Sequence, residues 1–296
     1  MRKFFKVAEN VFTLELSDSS ALWPLLTQYD PFEVEASGGE PVFSLGLTRE
    51  IEQEPLEVVY DVPTEKGETK IRLSRCASGW IFEMAPSSEL PVCGRLFASP
   101  DFSEGRLQIL SRRAWDAQFA VNNSLMLLYA FTTAERGILE VHASVIKYEG
   151  RGYLFLAKSG TGKSTQSRMW LENIEGATLL NDDNPIVRVS GDQVVVYGSP
   201  WSGKTPCYIN DRCPVGGFVL IRRAQSNRIT RLGIVEAYAN LYSSCSGLRQ
   251  DRRMADGLHS SLEKAVCSVP SYVLDCLPDA DAARVCCKGV LEGLGE

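Results

Sequence analysis

Gly152-Tyr-Leu-Phe-Leu-Ala-Lys-Ser-Gly-Thr-Gly-Lys-Ser164 is the stretch on which the reading of this chain turns. The apolar run from Gly152 to Ala157 predicts a buried strand. A turn with two glycines follows, and from Ser164 to Ile174 the spacing predicts a helix that stops near Gly176. Residues Ala157 to Ser164 fit the phosphate-binding loop pattern, with Ala157 in the first glycine slot. The chemistry asks for these residue types. Gly160 and Gly162 let backbone N–H groups turn toward phosphate oxygens, and Ser159 and Thr161 lie in the same turn. The start of the helix adds its positive end. Lys163 supplies a point charge for the β- and γ-phosphates of a nucleotide, the Ser164 hydroxyl can ligate Mg²⁺, and Thr165 is placed to reach the α-phosphate.

Working outward, Ala177-Thr-Leu-Leu-Asn181 predicts the next strand, and it runs into Asp182-Asp183-Asn-Pro185. A hydrophobic strand that ends in Asp suits a metal-holding carboxylate. Two adjacent carboxylates can divide the work, one holding Mg²⁺ and one taking a proton from a nucleophile; an Asp-rich turn before Pro185 is the plainer alternative. Upstream, His142 lies in the apolar segment Leu139-Glu-Val-His-Ala-Ser-Val-Ile146, where it is either a satisfied core residue or part of the site. Gly198-Ser-Pro-Trp-Ser-Gly-Lys204 reads as a loop closing over a ligand with Lys204 as its cationic contact, or as a connection with Trp201 packed beneath it. Arg222, Arg223, Arg228 and Arg231 form a basic cluster, mostly a solvated face from which one side chain could reach phosphate.

The rest of the second half alternates strand and helix. Pro185–Val189 and Gln193–Tyr197 read as a hairpin around Ser190-Gly-Asp192, and 215–221 and 272–275 as strands. Helices are predicted over 234–242, 251–266 and 280–294. This is an α/β pattern with a mixed sheet and flanking helices. The first half differs. Val11–Leu16, Leu56–Tyr60, Lys70–Arg75, Gly79–Met84 and Leu107–Ser111 are β-branched or aromatic runs separated by Gly, Pro, Ser and Asp, which predicts a mainly antiparallel β domain. A helix from Asn122 to Arg136, with Asn122 or Asn123 as N-cap, marks the boundary; the expected domains are 1–135 and 136–296.

In this order His142-Ala-Ser, strand, Ser159 to Ser164, helix, Leu180-Asn-Asp-Asp183, the chain resembles the catalytic domain of HPr kinase/phosphorylase, itself similar in fold to the nucleotide-binding part of phosphoenolpyruvate carboxykinase. The resemblance extends to HPr-kinase-like proteins with Gly-x-Pro-Trp-Ser-Gly-Lys, here Gly198 to Lys204, and covers roughly residues 138–290. It implies that Lys163, Ser164 and the loop glycines bind ATP and Mg²⁺ and that Asp182 helps hold the metal. It also implies that Asp183 is the catalytic base and that His142 is an active-site histidine. The family's Glu/Arg-Gly-Leu-Gly signature is replaced here by Tyr197 to Lys204, so the residues that recognise its protein substrate do not carry over. The expected function is ATP- and Mg²⁺-dependent transfer of a phosphoryl group to a hydroxyl on a protein or a small molecule. The alternatives are a carboxykinase-like reaction and a non-catalytic ATP-binding regulatory protein.

Composition bounds this reading. The chain has 296 residues, 44% hydrophobic and 23% charged, with a formal net charge of −6. That is enough apolar material for a core, and the negative charge argues against nucleic-acid binding. Residues 1–135 hold 20 acidic and 12 basic side chains, whereas residues 136–296 hold 17 and 19. No run approaches the ~20 apolar residues of a membrane span, and Met1–Glu9 lacks the apolar stretch of a signal peptide. Nine cysteines without a Cys-x-x-Cys pair read as reduced thiols, so the expected location is cytoplasmic, without a zinc site. The expected partners are a nucleoside triphosphate and the acceptor, with no membrane; a homo-oligomer is left open.

Overall fold

The computed structural model describes all residues except Pro63, Glu65, Ser159, Lys204 and 294–296. Two expected ligand-binding residues, Ser159 and Lys204, therefore lie outside the described residues. The chain divides into compact units Met1–Thr133 and Ala134–Glu296.

In the first unit, strands β1 (Arg2–Val7), β2 (Asn10–Glu15), β3 (Glu33–Val34), β4 (Pro41–Thr48), β5 (Glu57–Asp61), β6 (Lys70–Cys76), β7 (Gly79–Ala85), β8 (Gly94–Ala98) and β9 (Glu104–Ile109) precede helix α1 (Ala114–Thr133). They form one sheet in the order β3-β1-β2-β4-β9-β8-β7-β6-β5. Most pairs are antiparallel, but β2–β4 and β4–β9 are parallel, so the unit is more than a meander. Helix α1 begins at Ala114 rather than Asn122. The two asparagines expected to cap it sit inside it. Asn123 donates to the Phe119 carbonyl, and Asn122 accepts from the Tyr29 hydroxyl at 2.7 Å. A residue type that favours caps thus serves packing here.

The second unit holds β10 (Ile138–Glu140), β11 (Ala143–Tyr148), β12 (Arg151–Leu156), α2 (Lys163–Asn173), β13 (Thr178–Asp183), β14 (Ile186–Ser190) and β15 (Gln193–Tyr197). It continues with β16 (Arg212–Arg223), β17 (Arg228–Arg231), α3 (Ile234–Ser244), α4 (Arg252–Ser268), β18 (Ser271–Cys276) and α5 (Ala280–Glu292). The order β13-β11-β12-β16 carries parallel β12–β16 and β16–β18 pairs and antiparallel β11 pairs. The first residues of the long strand β16 instead pair with β15 of the β14–β15 hairpin. The sheet is therefore mixed, with parallel strands at its centre.

Both faces are covered. One apolar cluster joins Val145, Leu154, Leu156 and Phe218 to Leu241 and Leu262 from α3 and α4. The other joins Phe155, Val219 and Leu274 to Trp170 of α2 and Ala283, Cys286 and Val290 of α5. Trp170 is fully buried, with its ring 5.6–5.9 Å from Tyr148, Tyr153 and Phe155. Removing such a ring costs about 3–5 kcal/mol. It fixes α2 against the sheet and thereby aims the helix's first turn. All nine cysteines are free thiols and seven are buried. No helix among the described residues is long and apolar enough to cross a membrane.

Candidate functional site

The strand directions bring the chemistry-bearing residues to one edge. The carboxyl ends of β12, β13 and β16 and the amino end of β11 lie together, because β12, β13 and β16 run one way and β11 the other. In open α/β sheets ligands bind at the carboxyl ends of the strands. The turn after β12 puts Gly160 at φ +72° and Gly162 at φ +137°, where L side chains are rarely found. Nothing lies within 4 Å of a Cβ built on either glycine, so the turn is open on that side. Gly162 is the N-cap of α2 and offers no side-chain acceptor, whereas Asp251 and Asp279 cap α4 and α5. The first N–H groups of α2 are thus left for another acceptor.

Lys163 opens α2 and is buried. Its ammonium donates to the Ala157 carbonyl at 3.2 Å and lies 3.0 Å from His142 Nε2. Burial pushes its pKa down, and the charges of Asp183 and Asp182 oppose that shift. Ser164 Oγ donates to Asp182 Oδ1 at 2.9 Å, while Asp182 Oδ2 is buried with no hydrogen-bond partner. An orphaned carboxylate oxygen beside a hydroxyl is a pair of hard oxygen donors, the kind Mg²⁺ takes alongside water and phosphate. No cluster of three His, Cys, Asp or Glu that could hold a metal is present among the described residues. A cation here would rest on Asp182, Ser164 and its own substrate rather than on a protein cage.

Register explains the second pair. Ser144 faces Asp182 across β11–β13, and Ala143 faces Asp183. Ser144 Oγ meets Ser167 Oγ of α2 at 2.6 Å, so the α2 side of the sheet carries Ser144, Asp182 and, two residues earlier on the chain, His142. Alternation alone would send Asp183 to the other face. Asp183 instead has φ +152° at the end of β13, and its Oδ1 lies 3.0 Å from His142 Nε2. His142 is not a satisfied core residue: its side chain is 40% exposed and stands between Lys163 and Asp183.

Of the two readings of residues 198–203, the connection with a packed tryptophan holds at Trp201. Trp201 is 1% exposed, so it packs beneath the loop and does not close over a ligand. The loop holds the acidic pair from behind. Gly203 N–H and Ser202 Oγ donate to the Asp182 carbonyl, and Ser202 bridges Asp183. Asn181 donates to Ser199 Oγ and the Trp201 carbonyl, and Ser199 donates to the Asn184 carbonyl. Thr165 is half-buried one residue beyond Ser164. Among the arginines, Arg222 makes a two-pronged pair with Asp275 at 2.8 Å and is thereby committed to β18.

Sequence reasoning passed over Glu140. It is 2% exposed on β10, accepts from Ser246 Oγ at 3.3 Å, and its Oε2 has no hydrogen-bond partner. Burial pushes its pKa up to about 8; the Ser246 hydrogen bond works against this and the charge of Asp183 adds to it. The signal was an acid inside the apolar run Leu139-Glu-Val141, two residues before His142.

No protein-family model matches the chain. No curated protein matches it in sequence. Among solved structures the chain is similar to the HPr(Ser) kinase/phosphatase from Coxiella burnetii, with 11% identity and a TM-score of 0.33 over 52% of this chain and 92% of that one.

Proposed function

We propose that the second unit binds ATP with Mg²⁺ and transfers a phosphoryl group to a hydroxyl. The observation that carries this reading is the Ser164–Asp182 contact at 2.9 Å with Asp182 Oδ2 left over, set at the mouth of an uncapped helix behind a glycine turn. Phosphoryl transfer asks a protein for positioning and charge neutralisation more than for covalent chemistry. Lys163 gives its charge to the phosphates, exchanging its present contacts with His142 and Ala157 for phosphate oxygens. Asp182 and Ser164 hold Mg²⁺, which when bound neutralises charge developing on the transferred group. Asp183 takes the proton of the acceptor hydroxyl, and His142, 3.0 Å from its carboxylate, orients it.

The two aspartates separate experimentally. ATP titration calorimetry with and without Mg²⁺ is expected to show a Mg²⁺-dependent gain in affinity that Asp182→Asn removes. Asp183→Asn is expected to keep that gain and to lower turnover about 10²–10⁴-fold, read as phosphate transferred to a panel of hydroxyl acceptors and to water. If Asp183→Asn loses the Mg²⁺-dependent gain while Asp182→Asn keeps it, the roles are exchanged. If neither variant changes binding or turnover, the phosphotransferase reading fails.

A further inference from the structure

Arg223 is the last residue of β16, and its side chain crosses to the glycine turn. Its Nη2 donates to the Gly160 carbonyl at 2.6 Å and its Nε to the Thr161 carbonyl at 3.1 Å. A guanidinium presents its donors as a rigid planar fork, and here two of them meet two successive carbonyls of one turn. Its neighbour Arg222 points the same kind of fork at Asp275 across the β16–β18 pair. Backbone pairing of Arg223 with Cys276 of β18 fixes the end of β16 whether or not that ion pair forms, so Arg223 works from a fixed strand onto a turn where a Cβ added at Gly160 or Gly162 would meet nothing within 4 Å.

The effect on the turn follows from peptide geometry. A trans peptide is planar, with its C=O and N–H pointing in opposite directions. Pinning the Thr161 carbonyl toward Arg223 therefore directs the Gly162 N–H away from Arg223. Pinning the Gly160 carbonyl does the same for the Thr161 N–H, which donates back to the Lys158 carbonyl at 3.1 Å and closes the turn. Glycines lose more conformational freedom on ordering than other residues. Without a brace, the turn would have to order itself when an anion arrives, at the expense of affinity. Free carbonyl dipoles would also repel phosphate, and the guanidinium both engages these two and adds positive charge nearby.

We propose that Arg223 is the positioning residue of the phosphate site, holding the carbonyls of Gly160 and Thr161 toward itself so that the turn is set before nucleotide binds. This rests on the nucleotide-binding reading above, and its test separates the two. Amide hydrogen exchange over Gly160–Lys163 is measured without nucleotide for the full chain, Arg223→Ala, Arg223→Lys and Arg222→Ala, together with melting temperature and calorimetric titration with ATP–Mg²⁺. Arg223→Ala is expected to exchange faster in this segment alone and to bind ATP–Mg²⁺ about tenfold more weakly, with a melting temperature close to wild type. Arg223→Lys, which keeps the charge and can serve one carbonyl, is expected to recover part of both effects, and it carries the measurement should Arg223→Ala not fold. Arg222→Ala is expected to leave the exchange of this segment unchanged. Unchanged exchange in both Arg223 variants overturns the proposal, and so does faster exchange with undiminished ATP affinity. Faster exchange in a protein that binds no ATP even as wild type leaves the brace standing as a structural device and removes the phosphate-site role with the nucleotide reading.

Discussion

Glu140 shows what a single residue can report at this site. A carboxyl that is buried and only partly satisfied holds its proton well above the usual range, up to about 8 here. The folded protein thus binds this proton more tightly than the unfolded chain, whose glutamate titrates near 4.3. The contribution to stability is complete below the unfolded value. It declines as pH rises and is lost once the folded group ionises, near pH 8. The steepest slope one group can give is about 1.4 kcal/mol per pH unit. Glu140→Gln mimics the protonated acid, keeps an acceptor for Ser246 and cannot ionise. Its melting temperature is expected to fall less than that of wild type between pH 5 and pH 8, and to exceed it above pH 8. Parallel curves for the two proteins would show that Glu140 is ionised throughout. The motif residues of the site were legible because each carries one chemical demand: a glycine where φ is positive, a lysine at the helix start, an acid at the strand end. Glu140 was not, since an acid in an apolar run has no period or spacing to mark it.

Elements place these residues. Residues 198–203 read either as a loop closing over a ligand or as a connection over a packed Trp201, and the structure packs Trp201 and ties the loop to β13. Its closeness is quantitative at Gly203: an added Cβ would lie 3.0 Å from the Asp182 carbonyl oxygen and 3.1 and 3.2 Å from the Asp183 side chain. Contacts that tight force a shift of a few tenths of an ångström, and Asp183 is the neighbour with room to move, since its side chain is 35% exposed. A misplacement of 1 Å can cost about 10²-fold in rate. Gly203→Ala is therefore expected to lower turnover about tenfold while ATP–Mg²⁺ affinity stays within about twofold of wild type; equal turnover by the two proteins would show that Asp183 does not need this placement. Apolar runs made most elements of the second unit legible, β12, β13 and the β14–β15 hairpin among them. β17 was missed because its arginines, Arg228 and Arg231, are exposed and only Ile229 packs inward, against Gly289 of α5. The helical period around Leu125 and Leu128 was legible, but the start of α1 was not: Asn122 and Asn123 have the chemistry of caps, and only tertiary partners show that they lie mid-helix.

At the scale of the molecule, the alternation of strand and helix distinguished the second unit from the first. What it could not give is pairing. The parallel pairs β2–β4 and β4–β9 join strands far apart in the chain, and no local signal encodes them. The second unit builds its two apolar clusters from side chains between Leu139 and Leu291. The glycine turn, Lys163, Ser164, Asp182, Asp183 and His142 all lie within it as well. Residues 1–135 carry an excess of acid, 20 against 12, which would not attract a polyphosphate. A fragment Ala134–Glu296 is therefore expected to unfold in one cooperative transition and to bind ATP–Mg²⁺ within about threefold of the full chain, with Lys163→Ala in the fragment as the non-binding control. Calorimetry in parallel on fragment and full chain decides it. A fragment that unfolds cooperatively but has lost ATP binding would show that residues 1–133 complete the site, and the reading of a self-contained second unit would be withdrawn.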